Sequence, residues 1–119
     1  MIHQLRIYEI FEANKTAFHA RFRDHAARIM RKYDFHILAL WESSHAGQTE
    51  LVYLLEWPDE RTKNAAWAKF MADEEWAAIK RETAAKHGTL VGVIEDRLLQ
   101  PTDYSPRLSS DRARDPSDR

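Results

Sequence analysis

The chain has 119 residues, 44% of them apolar, and its 18 basic and 19 acidic side chains leave a formal charge of −1. That length builds one core, the near-neutral balance argues against a nucleic-acid binder that must neutralise several phosphates, and no apolar run approaches the roughly 18 to 20 residues of a membrane helix. Cys is absent, which excludes a disulfide framework, a thiol nucleophile and a zinc–thiolate site, and the start MIHQLRIYEI lacks the basic-then-apolar layout of a signal peptide, so a cytoplasmic protein is the expectation.

From Ile2 to Phe11 residue types alternate, with Leu5 and Ile7 on one parity and Gln4, Arg6 and Tyr8 on the other, the period-2 pattern of a strand whose Leu5 facet is expected in the core. Asn14 suits a helix N-cap, and Phe18, Phe22, His25 and Ile29 then form one apolar stripe of a helix running to about Tyr33. A strand from Phe35 to Ser43, a loop over residues 44 to 47 and a strand from Thr49 to Trp57 read as a hairpin. Pro58 ends that strand, and Asp59 and Glu60 open a helical region in which Trp67, Phe70 and Met71 share a face. Asp73, followed by Glu74 and Glu75, supplies a fresh N-cap, so the region divides near residue 72, and Trp76, Ile79 and Thr83 continue in the second helix. His87 and Gly88 form its C-terminal cap, LVGVIE lies in a fourth strand between Leu90 and Gln100, and Pro101 closes the domain. The domain is expected over residues 1–106, and the polar, charged stretch 107–119 reads as a flexible tail.

The order β-α-β-β-α-β predicts an α+β, ferredoxin-like fold with a four-stranded antiparallel sheet covered on one face by helices. The opposite face would be too apolar for water, which points to a homodimer in which two sheets meet and enclose a barrel-like space. If Leu5 and Ile7 point to the helices, then Arg6 and Tyr8 line that space with Trp41, Tyr53 and Trp57. Such a lining suits a small aromatic or carboxylated molecule, with rings packed on the indoles and the guanidinium bonded to an acid group. The alternative is that the aromatics fill the dimer core and Arg6 pairs with Glu9, Glu56 or Glu95.

The six His show no metal-ligand spacing: His19 and His25 diverge on a helix, and neither an HExxH stretch nor a facial triad occurs. No metal and no cofactor is expected. Phosphoryl transfer and nucleophilic acyl transfer are disfavoured, because no Gly-rich phosphate loop, GxSxG or HRD-like stretch is present.

Six segments in order carry a resemblance. LRIYEI (5–10) resembles an L-R-x-Y strand, Phe22 with His25 an F-x-x-H helix, and Trp41 with the Gly47 loop a tryptophan strand and turn. LVYLLEW (51–57), AKFMADEEW (68–76) and LLQPTDYSP (98–106) complete the set, the last two resembling F-x-x-D-P-E-W and L-x-P-T-x-x-S-P. Over about residues 3–106 the chain thus resembles the NIPSNAP family. It departs from the pattern where Glu74 stands for Pro, Leu55 for an aromatic, and Asp34 with Phe35 for a Gly turn. The resemblance implies a ferredoxin-like subunit of a dimeric α/β barrel and implies no established reaction or catalytic residues. Animal members are associated with mitochondria and with vesicle or mitophagy-related roles; this compact chain looks more like a bacterial single-domain member, and those roles are not carried over.

Three functions follow as expectations. The first is a small-molecule-binding dimer with Arg6, Tyr8, Trp41, Tyr53 and Trp57 at its pocket. The second is a cofactor-independent monooxygenase- or isomerase-like enzyme, with His25 or His3 as base and Tyr8 or Arg6 stabilising an oxyanion. The third is a scaffold whose dimer face is its only surface of action.

Overall fold

The computed structural model describes residues 1–108, so most of the expected tail, residues 109–119, lies outside the described residues. Strand β1 (Ile2–Ile10) is followed by a short 3-10 turn (Glu12–Asn14) and a helical rod made of α1 (Lys15–Arg21), a π turn (Phe22–Ala26) and α2 (Ala27–Lys32). Strands β2 (His36–His45) and β3 (Gln48–Trp57), helices α3 (Glu60–Met71) and α4 (Glu74–His87), and strand β4 (Val91–Leu99) complete the fold. The strands form one antiparallel sheet in the order β2-β3-β1-β4, which is the ferredoxin-like α+β arrangement read from the sequence.

Local chemistry explains the boundaries. The Asp59 carboxylate accepts from the Thr62 N–H at 2.7 Å and Asp73 from the Trp76 N–H at 2.8 Å, so each helix begins on a capped N-terminus. Asp73 also accepts the Tyr33 hydroxyl at 2.6 Å, tying the start of α4 to the end of the rod. The β2–β3 hairpin is tighter than the expected loop: both strands extend until only Ala46 and Gly47 remain, at φ +53° and +77°, the left-handed pair that matches strand twist. Asn14 precedes α1 but makes no cap; its side-chain amide donates to the Thr89 carbonyl instead. Asp34 takes φ +64°, the conformation for which the Gly of the related turn is suited, and Asp is one of the side chains that tolerates it.

The core lies between the sheet and the helices. Phe18, Phe22, Ala26, Ile29 and Met30 bury the rod against Leu51, Tyr53, Leu55 and Trp57 of β3, and Phe35, Phe70 and Trp76 continue the cluster. Phe35 stands edge-on to Trp57 at 5.0 Å and to Trp67 at 4.8 Å between centroids, spacings at which aromatic pairs attract beyond simple burial.

Two corrections to the sequence reading concern which side chains face the core. In β1 the buried positions are Gln4, Tyr8 and Ile10, whereas Leu5 and Ile7 are only half-buried on the open face. The expected parity is therefore inverted, because Leu51, Tyr53, Leu55 and Trp57 fix β3 to the helices and the register pairs Tyr8 with Leu51, Arg6 with Tyr53 and Gln4 with Leu55. In the rod, the π turn advances less per residue than an α-helix, so Ala26 rather than His25 turns inward.

Candidate functional site

On the helix-facing side of the sheet runs a polar chain of contacts inside an apolar core. Gln4 is 1% exposed, and its side-chain oxygen accepts the indole N–H of Trp57 at 3.0 Å and of Trp67 at 2.8 Å. Its amide nitrogen donates to Asp96 at 2.9 Å, and the other oxygen of Asp96 lies 3.2 Å from Arg6 Nη1. Arg6 Nη2 donates to the Tyr8 hydroxyl at 3.1 Å, and the Tyr8 and Tyr53 oxygens are 2.6 Å apart. Strands β1, β3 and β4 thus supply the network and α3 supplies one indole. Burial is tolerated because almost every group finds a partner; Arg6 Nε is the buried atom left without one.

The guanidinium of Arg6 lies over the Trp67 ring, 4.4 Å from its centroid, and 5.2 Å from that of Tyr8. Burial by itself lowers the affinity of Arg6 for its proton, but the phenol oxygens of Tyr8 and Tyr53 outweigh it and hold the group above its ordinary value. Tyr53 is completely buried, and burial, reinforced by the Tyr8 oxygen, pushes its phenol well above the usual tyrosine value, so it stays neutral. Among the described residues the only acceptor hydrogen-bonded to Tyr53 is the Tyr8 oxygen. A fully buried hydroxyl left without an acceptor costs about 1–3 kcal/mol, so Tyr53 donates to Tyr8. The Tyr8 oxygen then accepts from both Arg6 and Tyr53, and its own proton is free to meet a ligand.

Tyr8 and Arg6 both line a cavity of about 240 Å³ between the sheet edge and the helices, walled by Phe18, Trp67, Phe70 and Trp76 and closed on the strand side by Val91 and Ile94. Two further cations stand there: Arg21, with its guanidinium carbon 5.4 Å from the Trp76 centroid, and Lys80, with its nitrogen 5.8 Å from the same ring. Neither forms a salt bridge among the described residues. Burial lowers Arg21 below the ordinary arginine value, with Tyr8 opposing the shift; arginine starts so high that the charge survives at any physiological pH. The lining contains no Asp, Glu or His. Its chemistry is that of an aromatic, positively charged slot.

Of the sequence-expected site residues, Arg6, Tyr8, Tyr53 and Trp57 do come together, but under the helices rather than on the open face. Only Arg6 and Tyr8 reach the cavity; Tyr53 and Trp57 are 0% and 1% exposed and support it from behind. Arg6 pairs with Asp96, not with Glu9, Glu56 or Glu95. Trp41 is separated from the group: a bulge between Ile37 and Ala39 shifts β2 by one residue, so Trp41 pairs with Val52 on the open face and is 51% exposed. His25 lies outside the cavity, with Nδ1 3.3 Å from Arg28 Nη2. His3 is on the open face, 3.4 Å from Glu56. The sequence reading missed Gln4, Arg21 and Lys80. For Arg21 and Lys80 no local signal existed, since a cation on a helix is ordinarily solvated; Gln4 shared the parity of Tyr8 and Ile10, a usable sign.

Among the described residues no group of His, Asp or Glu side chains has a geometry that could hold a metal ion, and no helix is long and apolar enough to cross a membrane. No curated protein matches the sequence. Crystal structures similar to this chain include an uncharacterised NIPSNAP-like domain protein from Burkholderia xenovorans, at 20% identity over 91% of this chain and 90% of that one, with a TM-score of 0.74. A NIPSNAP family protein from Agrobacterium tumefaciens is similar at 19% identity over 88% and 96% of the two chains, with a TM-score of 0.75. A more distant likeness is to a monooxygenase of Streptomyces coelicolor in complex with the ligand nanaomycin D, at 12% identity over 90% and 92%, with a TM-score of 0.55. At these identities the likeness is one of fold. The family model of NIPSNAP matches residues 3–106, which span β1 through β4 and the segment beyond, and the chain belongs to the NIPSNAP family.

Proposed function

We propose that this NIPSNAP protein is a cytoplasmic homodimer that binds a small aromatic carboxylate in the slot beneath its helices. The observation that carries the reading is the pairing of aromatic walls with Arg21 and Lys80, two cations without salt-bridge partners among the described residues, in a cavity whose lining holds no carboxylate. A cation facing an apolar slot is best satisfied by an anionic ligand, and a volume of about 240 Å³ suits one or two rings. Arg6 acts indirectly: already held by Asp96, it polarises Tyr8, whose hydroxyl donates to a ligand oxygen. Self-association is supported by the open face, where Leu5, Ile7, Val52 and Leu54 are half-buried and Trp41 and Val93 are 51% and 71% exposed.

Calorimetric titration with 2-naphthoate, compared with the uncharged 2-naphthamide, tests the assignment. The carboxylate is expected to bind and the amide to bind far more weakly, with Arg21→Ala costing about tenfold in affinity, the worth of one charge-assisted hydrogen bond. Equal binding of acid and amide, or an unchanged affinity in Arg21→Ala, refutes it. The second reading, an enzyme of the monooxygenase or isomerase type, draws support from the free Tyr8 proton, which suits an oxyanion, and from the fold shared with the Streptomyces monooxygenase. Binding is the better supported of the two because the slot lining offers no carboxylate or imidazole base.

A further inference from the structure

We infer that the free edge of β4 pairs antiparallel with the β4 edge of a second copy of the chain, in a register centred on Asp96. Among the described residues β4 stands at one side of the sheet with β1 as its neighbour. Its apolar residues are uncovered on both faces: Val93 and Leu99, 71% and 39% exposed, on the open face, and Ile94 and Leu98, 49% and 38% exposed, on the helix side. Contact between two open faces covers only the first pair and leaves the backbone groups of the edge unpaired. A strand bare on both faces and along its edge is a template for another strand. The opposite edge, β2, is interrupted by its bulge after Ile37.

The register follows from the order of residues. About Asp96 the run VIEDRLL (93–99) is self-complementary: antiparallel pairing sets Val93 opposite the partner's Leu99, Ile94 opposite the partner's Leu98 and Glu95 opposite the partner's Arg97. These rungs join apolar to apolar and acid to base. Displaced by one residue in either direction, Glu95 meets the partner's Asp96 or the partner's Leu98 instead. The one like-charged rung, Asp96 on the partner's Asp96, is offset within each chain, because Arg6 lies 3.2 Å from Asp96 and the Gln4 amide donates to it at 2.9 Å. The backbone is arranged for the same pairing. Glu9 of β1 takes the Val93 N–H at 3.1 Å, so by strand alternation Ile94, Asp96 and Leu98 direct their N–H and C=O groups to the free edge. Arg97 donates to Glu95 of its own chain at 2.8 Å, and on the closely spaced rungs each reaches its opposite number in the partner.

Edge pairing goes beyond the face-to-face homodimer proposed above and does not depend on it. Edge contact alone makes a dimer, and both contacts together make a tetramer. Because Ile94 also lines the slot, the partner's Leu98 beside it lengthens the apolar wall at the slot mouth.

The chain has no Cys, so introduced thiols test the register. Full-length Val93→Cys and Leu99→Cys chains, mixed under mild oxidation, are expected to cross-link to each other, since opposed residues of an antiparallel pair have Cα atoms about 4.5–5.5 Å apart, within disulfide reach. Either chain alone should stay free of cross-links, because edge pairing holds its two thiols about 20 Å apart. Glu95→Arg or Arg97→Glu, each of which sets like charges on two rungs, should halve the mass of the assembly in sedimentation. An equimolar mixture of the two should restore that mass, because acid then faces base on each charged rung. Circular dichroism verifies that each variant is folded. No cross-link in the mixed thiol chains, equal cross-linking of either chain alone, or a mass that the charge substitutions leave unchanged overturns the pairing.

Discussion

The two faces of the sheet use the same alternation of residues for opposite purposes. The covered face holds Gln4, Arg6, Tyr8, Tyr53 and Trp57, a polar and aromatic set with nearly every polar atom satisfied. The open face carries an apolar row, Leu5, Ile7, Val52, Leu54 and Trp41, that is only partly covered, with His3, His36, Glu56, Glu95 and Arg97 on the same face around it. In an isolated subunit the apolar row on the open face departs from the usual hydrophobic-in, polar-out alternation. The difference teaches that hydrophobicity alone does not assign a strand's inner side. Polar residues can occupy a core when the opposing element brings donors for them, as the indoles of Trp57 and Trp67 do for Gln4. Apolar residues can stay outside when a second surface awaits them.

That contrast can be broken by substitution. The largest effect is expected from Trp57→Ala on the covered face, where the side chain is 1% exposed and packs on Phe35. Truncating such a residue costs roughly 3 to 5 kcal/mol, measured by chemical denaturation; a loss near zero would show that the covered face is not the core. Next is Gln4→Leu, which keeps the size of the side chain but strips the acceptor from two indole N–H groups and a donor from Asp96. Each buried donor left unsatisfied costs about 1–3 kcal/mol. A more stable Gln4→Leu protein would show that the buried network serves no structural purpose. Smallest in the protomer itself is Trp41→Ala, a half-exposed site where a change within about 0.5 kcal/mol is expected. Its effect should instead appear on the proposed dimer, as a shift toward monomer in sedimentation. An unaltered dimer would move the interface away from the Trp41 row.

Much of the fold was legible because it rests on local chemistry. The cap at Asp73, the stop at Pro58 and the left-handed positions at Gly47 and Gly88 are decided by backbone sterics and by side chains a few residues away. Of the expected site list, Arg6, Tyr8, Tyr53 and Trp57 share one face of the sheet, Trp41 does not, and only Arg6 and Tyr8 reach the cavity. The location of the site was not legible. One residue of slip reverses every side chain of a strand, and the bulge after Ile37 moved Trp41 while leaving Tyr53 in place. Arg21 and Lys80, distant in sequence, meet at the same indole only because the rod packs beside α4.

The sequence by itself determined a four-stranded, helix-backed domain of the NIPSNAP family, because element order, caps and turns are short-range properties of the chain. The tertiary structure decided which face of that sheet is buried, that Gln4 ties the two indoles to Asp96 and through it to Arg6, and that the Tyr8 oxygen sits between Arg6 and Tyr53. Those outcomes depend on partners far apart in the chain, such as Tyr8 with Tyr53, 45 positions away, and Gln4 with Asp96, 92 positions away, and no local pattern encodes which of two faces will find them.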